Sequence, residues 1–123
     1  MFGGRPWGYD PRRLATFEDF LALDVRVGTV LSAQVLRGAR TPALRLSINF
    51  GDELGTKIST AQITELYDPD ELVGLQVVAI CNLPTKRVAG VDSEVLVLAA
   101  NGGTGETVLL MPERPVPDGV KVS

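Results

Sequence analysis

Two short segments hold the side chains best suited to chemistry. Lys57-Ile58-Ser59-Thr60-Ala61-Gln62 gathers a cation, two hydroxyls and an amide, and Asn82-Leu83-Pro84-Thr85-Lys86-Arg87 adds an amide and two adjacent cations. Hydroxyls, amides and Lys/Arg are the donors that hold phosphate and sugar. The same residues also fit a blander reading, with Lys86-Arg87 a solvated loop tip and Ser59-Thr60 satisfying local backbone. Catalysis has little to work with. The 123 residues include no histidine, which excludes a Ser-His-Asp or Cys-His group and any His-containing zinc or haem site. The single cysteine, Cys81, excludes an internal disulfide and a cysteine cluster. It follows Val77-Val78-Ala79-Ile80, so a buried, inert thiol is expected. The acid pairs Asp52-Glu53 and Asp70-Glu71 lie in turns, where carboxylates solvate or cap. Gly102-Gly103-Thr104-Gly105 lies between strands rather than before a helix, and reads as a hairpin turn instead of a phosphate loop. A non-enzymatic binding protein without cofactor or metal is the expectation.

Charge narrows what can be bound. The formal net charge is −3, and Arg5, Arg12 and Arg13 against Asp10 give residues 1–15 a local +2, leaving −5 on the rest. That is a handicap for binding polyanions, so any nucleic-acid function must rest on a local basic patch. Lys57, Lys86 and Arg87 are the first candidates for it, with Arg40 and Arg45 behind them. No apolar run approaches the ~18 residues of a membrane span, and Met1 to Ala15 lacks the apolar stretch of a signal peptide. A reduced, cytoplasmic protein without membrane insertion is expected.

These segments need a frame. Hydrophobic residues make up 45% and charged residues 22% of the chain, the composition of one globular domain. Residues 1–15, rich in Gly and Pro, read as a flexible extension, and residues 16–123 as the domain. Thr16 with Asp19 resembles a capping box that opens a short helix with Phe17, Phe20 and Leu21 on one face. Strands are expected over 25–36, 43–50, 56–61, 75–83, 93–100 and 106–111, with a short last one at 120–123. In the first, Val25, Val27, Leu31, Ala33 and Val35 share a face, and Gly28 suggests a bulge or bend. In the second, Leu44, Leu46, Ile48 and Phe50 point inward. A helical turn fits Gln62 to Leu66. Another fits Asp68 to Gly74, with Pro69 at its first position. Gly51 to Gly55 reads as a hairpin turn, and Pro84 to Asp92 as a loop. A long bent first strand and a helix between strands three and four favour a mostly β fold. The form expected is a five-stranded OB barrel with short helices and extra C-terminal strands; a sandwich is the alternative.

One pattern does not fit a lone barrel. Val95, Val97 and Ala99 alternate with Leu96, Leu98 and Ala100, and Val108-Leu109-Leu110-Met111 is likewise apolar on both faces. A barrel buries one face of each strand. The first helix could cover the other face, but it is too short to cover both strands. A homodimer joined through Leu96, Leu98 and Leu110 is expected.

Three ordered motifs carry a resemblance. They are Phe17-Glu18-Asp19-Phe20 with Asp24-Val25-Arg26-Val27-Gly28-Thr29-Val30, then Lys57 to Thr64, then Asn82 to Leu98. From about Thr16 onward the chain resembles the tRNA-binding OB domain found free or fused to aminoacyl-tRNA synthetases. Within that family it is similar to the stand-alone CsaA type, described as a secretion-related chaperone. The resemblance implies an OB-fold homodimer with Asn82, Lys86, Arg87 and Ser93 around the tRNA-binding region, and Lys57, Ser59 and Thr60 in the second family signature. Synthetase-linked members often carry His-Pro-x-Ala-Asp where this chain has Arg37 to Ala43, and Ser-Glu-Gly-Met where it has Ser93-Glu94-Val95-Leu96. Both departures fit the CsaA type. The implied partners are tRNA or, in the alternative reading, unfolded precursor proteins held on apolar patches.

Overall fold

The computed structural model describes residues 13–64, 66–102 and 106–123. The first twelve residues of the expected extension, Glu65 in the expected helical turn at 62–66, and Gly103-Thr104-Gly105 lie outside the described residues. Helix α1 (Phe17–Leu21) opens on the expected capping box: the Thr16 hydroxyl accepts from the Asp19 amide and the Asp19 carboxylate from the Thr16 amide. The Thr16 amide, with Arg13 beside it, holds the Asp19 carboxyl below its usual value. None of the residues of α1 is buried.

Five antiparallel strands form the main sheet. They are β1 (Val25–Val35), β2 (Leu44–Asn49), β3 (Thr56–Ala61), β4 (Gln76–Ile80) and a short β7 (Leu96–Val97), in the order β3-β2-β1-β4-β7. The two edges approach each other where the amides of Glu94 and Val95 donate to the Ile58 carbonyl, which nearly closes a barrel. Leu44, Leu46, Ile48 and Phe50 are buried inside it, as their alternation requires. Helix α2 (Gly51–Leu54) stands where a plain hairpin turn was expected. Helix α3 (Pro69–Leu72) lies between β3 and β4, seals the core with fully buried Leu72, and ends at Gly74 with φ +91. There the Gly74 amide donates to the Val30 carbonyl.

The structure corrects the first strand in two respects. The bulge falls between Val30 and Ser32, not at Gly28. Leu31, expected inside, is the extra unpaired residue and is 49% exposed. The residues beyond it change face, so Val30, Ala33 and Val35 stand opposite the inward Ile48, Leu46 and Leu44, and Val25 and Val27 lie on the other face from Ala33 and Val35. Gly28 instead marks a close approach. A Cβ there would lie 2.7 Å from the Ile48 and Phe50 side chains and 2.8 Å from the Asn49 carbonyl oxygen.

The loop expected at 84–92 is a hairpin of β5 (Lys86–Val88) and β6 (Val91–Ser93). Its two-residue turn, Ala89-Gly90, has φ of +48 and +84, the backbone that suits strand twist in tight hairpins. The single strand expected over 93–100 is broken. Glu94 turns aside to close the barrel through Ile58, β7 then pairs with β4, and β8 (Ala99–Asn101) leaves to pair with β9 (Thr107–Leu109). The C-terminal segment runs along β1, with Val120 and Val122 bonded to Val27 and Val25 and a bridge from Lys121 to Arg26. Asp118 fixes it there by accepting from Thr29, Asn49 and Gln76.

Candidate nucleic-acid interface

Register decides which candidate residues meet. On β3, Lys57, Ser59 and Ala61 stand opposite Ile48, Leu46 and Leu44, on the barrel's inner side. Ile58 and Thr60 stand opposite Ser47 and Arg45, on the outer side. Ser59 is 1% exposed, and its hydroxyl donates to the Val95 carbonyl at 3.0 Å. It is a barrel-closing group and does not face solvent. Lys57 lies towards the other end of the strand, where its charge reaches Cys81. The segment that reads in sequence as one polar cluster is thus divided between two faces.

Thr60 is where the candidates converge. Its amide donates to the Ser93 hydroxyl at 3.0 Å, which ties β3 to the β5–β6 hairpin. Ser93 pairs with Lys86, and Arg87 with Asp92, across that hairpin. An open cleft results between hairpin and sheet, lined by Arg45, Ile58, Arg87, Gly90, Val91, Asp92 and Glu94. Arg87 forms an ion pair with Asp92 at 2.7 Å. The Glu94 carboxylate accepts from the Ile58 amide at 3.0 Å. Two arginines therefore face two carboxylates in the cleft, and Lys86 adds one positive charge nearby. Arg45 is drawn into the site by its place opposite Thr60. Glu94 was not a candidate from sequence; only the strand break beside Ile58 gives it a role.

Asn82 does something else. Its side-chain oxygen accepts from the Asp24 amide and its nitrogen donates to the Ala22 carbonyl, both at 2.8 Å. It joins the end of β4 to the link between α1 and β1, and both ends of its amide are engaged. Arg26, outward-facing by simple alternation, is buried among Asp24, Glu53 and the Gly119 carbonyl. The Asp24 and then the Glu53 carboxylate hold its guanidinium pKa above the usual arginine value. This charge is spent on the fold. Among the described residues, no group of three or more His, Cys, Asp or Glu is arranged to hold a metal, and no helix is long and apolar enough to cross a membrane.

The apolar strands keep one side open. Val95 and Leu109 are buried and Val97 and Ala99 pack on the core, whereas Leu96, Val108, Leu110 and Met111 are each 44–46% exposed. Leu98 is half-buried. Phe17 and Leu21 of α1 are more exposed still.

A nearly closed five-stranded antiparallel barrel with a polar cleft on its outer face is the OB class of binding domain. Within that class the chain belongs to the tRNA-binding domain family, whose model ("Putative tRNA binding domain") matches residues 25–121. Among solved structures it is similar to chaperone CsaA from Bacillus anthracis str. Ames, with 54% identity and a TM-score of 0.85 over 90% of this chain and 100% of that one. It is also similar to the CsaA chaperone protein from Picrophilus torridus, with 41% identity and a TM-score of 0.84 over 89% and 100% of the two chains. Among curated proteins, the methionine–tRNA ligase of Methanothrix thermoacetophila is 43% identical over 103 residues, 84% of this chain and 15% of the ligase. The chain therefore spans about 15% of the length of the ligases it matches.

Proposed function

We propose that the chain is a non-enzymatic, cytoplasmic tRNA-binding protein of the CsaA type, that it works as a homodimer, and that the cleft between β2–β3 and the β5–β6 hairpin holds the RNA backbone. The observation that carries this reading is one open cleft lined by Arg45 and Arg87, with Thr60, Ser93 and Lys86 tied to its walls by strand pairing and the Thr60–Ser93 bond, in a domain of the tRNA-binding family. Arginine and lysine supply the charge, and Thr60 a hydroxyl for phosphate or ribose. The carboxylates of Asp92 and Glu94 offset much of that charge, so binding is weak and depends steeply on salt.

The experiment is a tRNA titration over a series of salt concentrations. Lys86→Ala with Arg87→Ala is expected to weaken binding and to flatten the slope of log K against log salt by up to about two units. Unchanged affinity and slope would argue against the cleft. A second reading, a chaperone holding unfolded precursor proteins, is favoured by the exposed Leu96, Val108, Leu110 and Met111 and by the likeness to the two CsaA chaperones. Binding of an apolar polypeptide through that patch would persist or strengthen as salt rises, and the double substitution would leave it unchanged.

A further inference from the structure

We propose that Asp92 is a built-in competitor for phosphate, occupying Arg87 in the free protein and so setting the affinity and the selectivity of the cleft. The inference rests on the reading of that cleft as the RNA site. Arg87 Nη1 lies 2.7 Å from Asp92 Oδ1. The two residues are directly paired across β5–β6. The Ala89-Gly90 turn, with both φ values positive, fixes that register, so the two side chains cannot be parted by a slip of the strands. Both remain open to solvent, at 67% and 58% exposure. The pair is therefore weak enough to be displaced, yet formed in the free protein.

A phosphate that takes Arg87 must evict a carboxylate and then lie close to it. A single phosphate gains one contact and meets that opposition. A folded RNA brings several phosphates at once and can hold to Arg45 and Lys86 in complexes that leave Arg87 on Asp92, so the displaced carboxylate costs it less than it costs a small phosphate that depends on Arg87. Asp92 thus tunes the cleft against small phosphate compounds and in favour of a polyanion. Glu94, the other carboxylate lining the cleft, is held by the Ile58 amide and does not compete for Arg87 in this way.

The test compares tRNA and inorganic pyrophosphate as ligands for the wild-type chain, Asp92→Asn, Asp70→Asn, Arg87→Ala, and Arg87→Ala combined with Asp92→Asn. Asp70 lies on α3, so its substitution makes the same change in net charge away from the cleft. Asp92→Asn is expected to tighten tRNA binding about two- to fivefold at low salt, the worth of one exposed ion pair. It should also steepen the salt slope by up to about one unit and raise pyrophosphate binding by a larger factor. In the Arg87→Ala background the gain should vanish. A gain no larger than that of Asp70→Asn, or one that survives the loss of Arg87, would overturn the role of Asp92 while leaving the RNA site standing. Absence of tRNA binding in every variant, at any salt, would overturn the RNA reading and this inference with it.

Discussion

At the scale of single residues, Cys81 shows how position fixes reactivity. It follows β4, its thiol is half-buried against the core, and burial pushes its pKa up to about 11. The charge of Asp24 acts in the same direction, and Arg26 and Lys57 oppose it. A thiol reagent should therefore label Cys81 slowly near neutral pH and rapidly once the chain is denatured; fast native labelling would contradict the packing. The sign of the pH effect follows from the same shift. Above about pH 9 the unfolded thiol ionises while the folded one holds its proton, so stability falls as pH rises from there towards 11. Cys81→Ala should lose less stability than the wild type between about pH 9 and about pH 11 in denaturant titrations. An equal loss would contradict the shift. That the thiol packs on the core was legible in the sequence, because an apolar run precedes it; that it is only half-buried was not. The separate fates of Lys57, Ser59 and Thr60 were not, since alternation gives two faces without saying which is inside. Pairing with Leu46 and Arg45 decides it.

At the scale of elements, the close crossing of β1 over the end of β2 shapes the barrel. Gly28 is there because a side chain has no room beside Ile48, Phe50 and the Asn49 carbonyl. Two of those neighbours are fully buried and one is backbone, so none can yield freely. Gly28→Ala is expected to destabilise the fold by about 1–3 kcal/mol, read as a lower denaturation midpoint; an unchanged midpoint would contradict the crossing. The glycine itself signalled something unusual in the strand, but a bulge and a close approach leave the same mark in sequence. The inward set of β2, the capping box of α1 and the Pro-started α3 were plain, because each depends on residues a few positions apart. The breaks at Glu94 and Leu98 were not. They follow from bonds to Ile58 and Val78, far away in sequence, and an unbroken apolar run gives no sign of them.

At the scale of the whole molecule, the uncovered apolar strands and the cleft carry the account. Leu96, Val108, Leu110 and Met111 are all exposed, and a second copy is the proposed cover. Light scattering at micromolar concentration should then give about twice 13.2 kDa. Leu110→Asp should halve that mass and leave the fold intact, because the residue lies at the surface rather than in the core. A monomer mass for the wild type would overturn the dimer. Leu98→Asp is less informative, since a half-buried carboxylate disturbs the fold as well.

The most direct test of the RNA-binding cleft is photochemical cross-linking of bound tRNA, with the attached peptides located by mass spectrometry. The account predicts cross-links on Arg45, Thr60 and residues 86–93. Arg45→Ala with Arg87→Ala should abolish them. Cross-links confined to α1, to β7 or to residues 107–111, and unaffected by that double substitution, would contradict it.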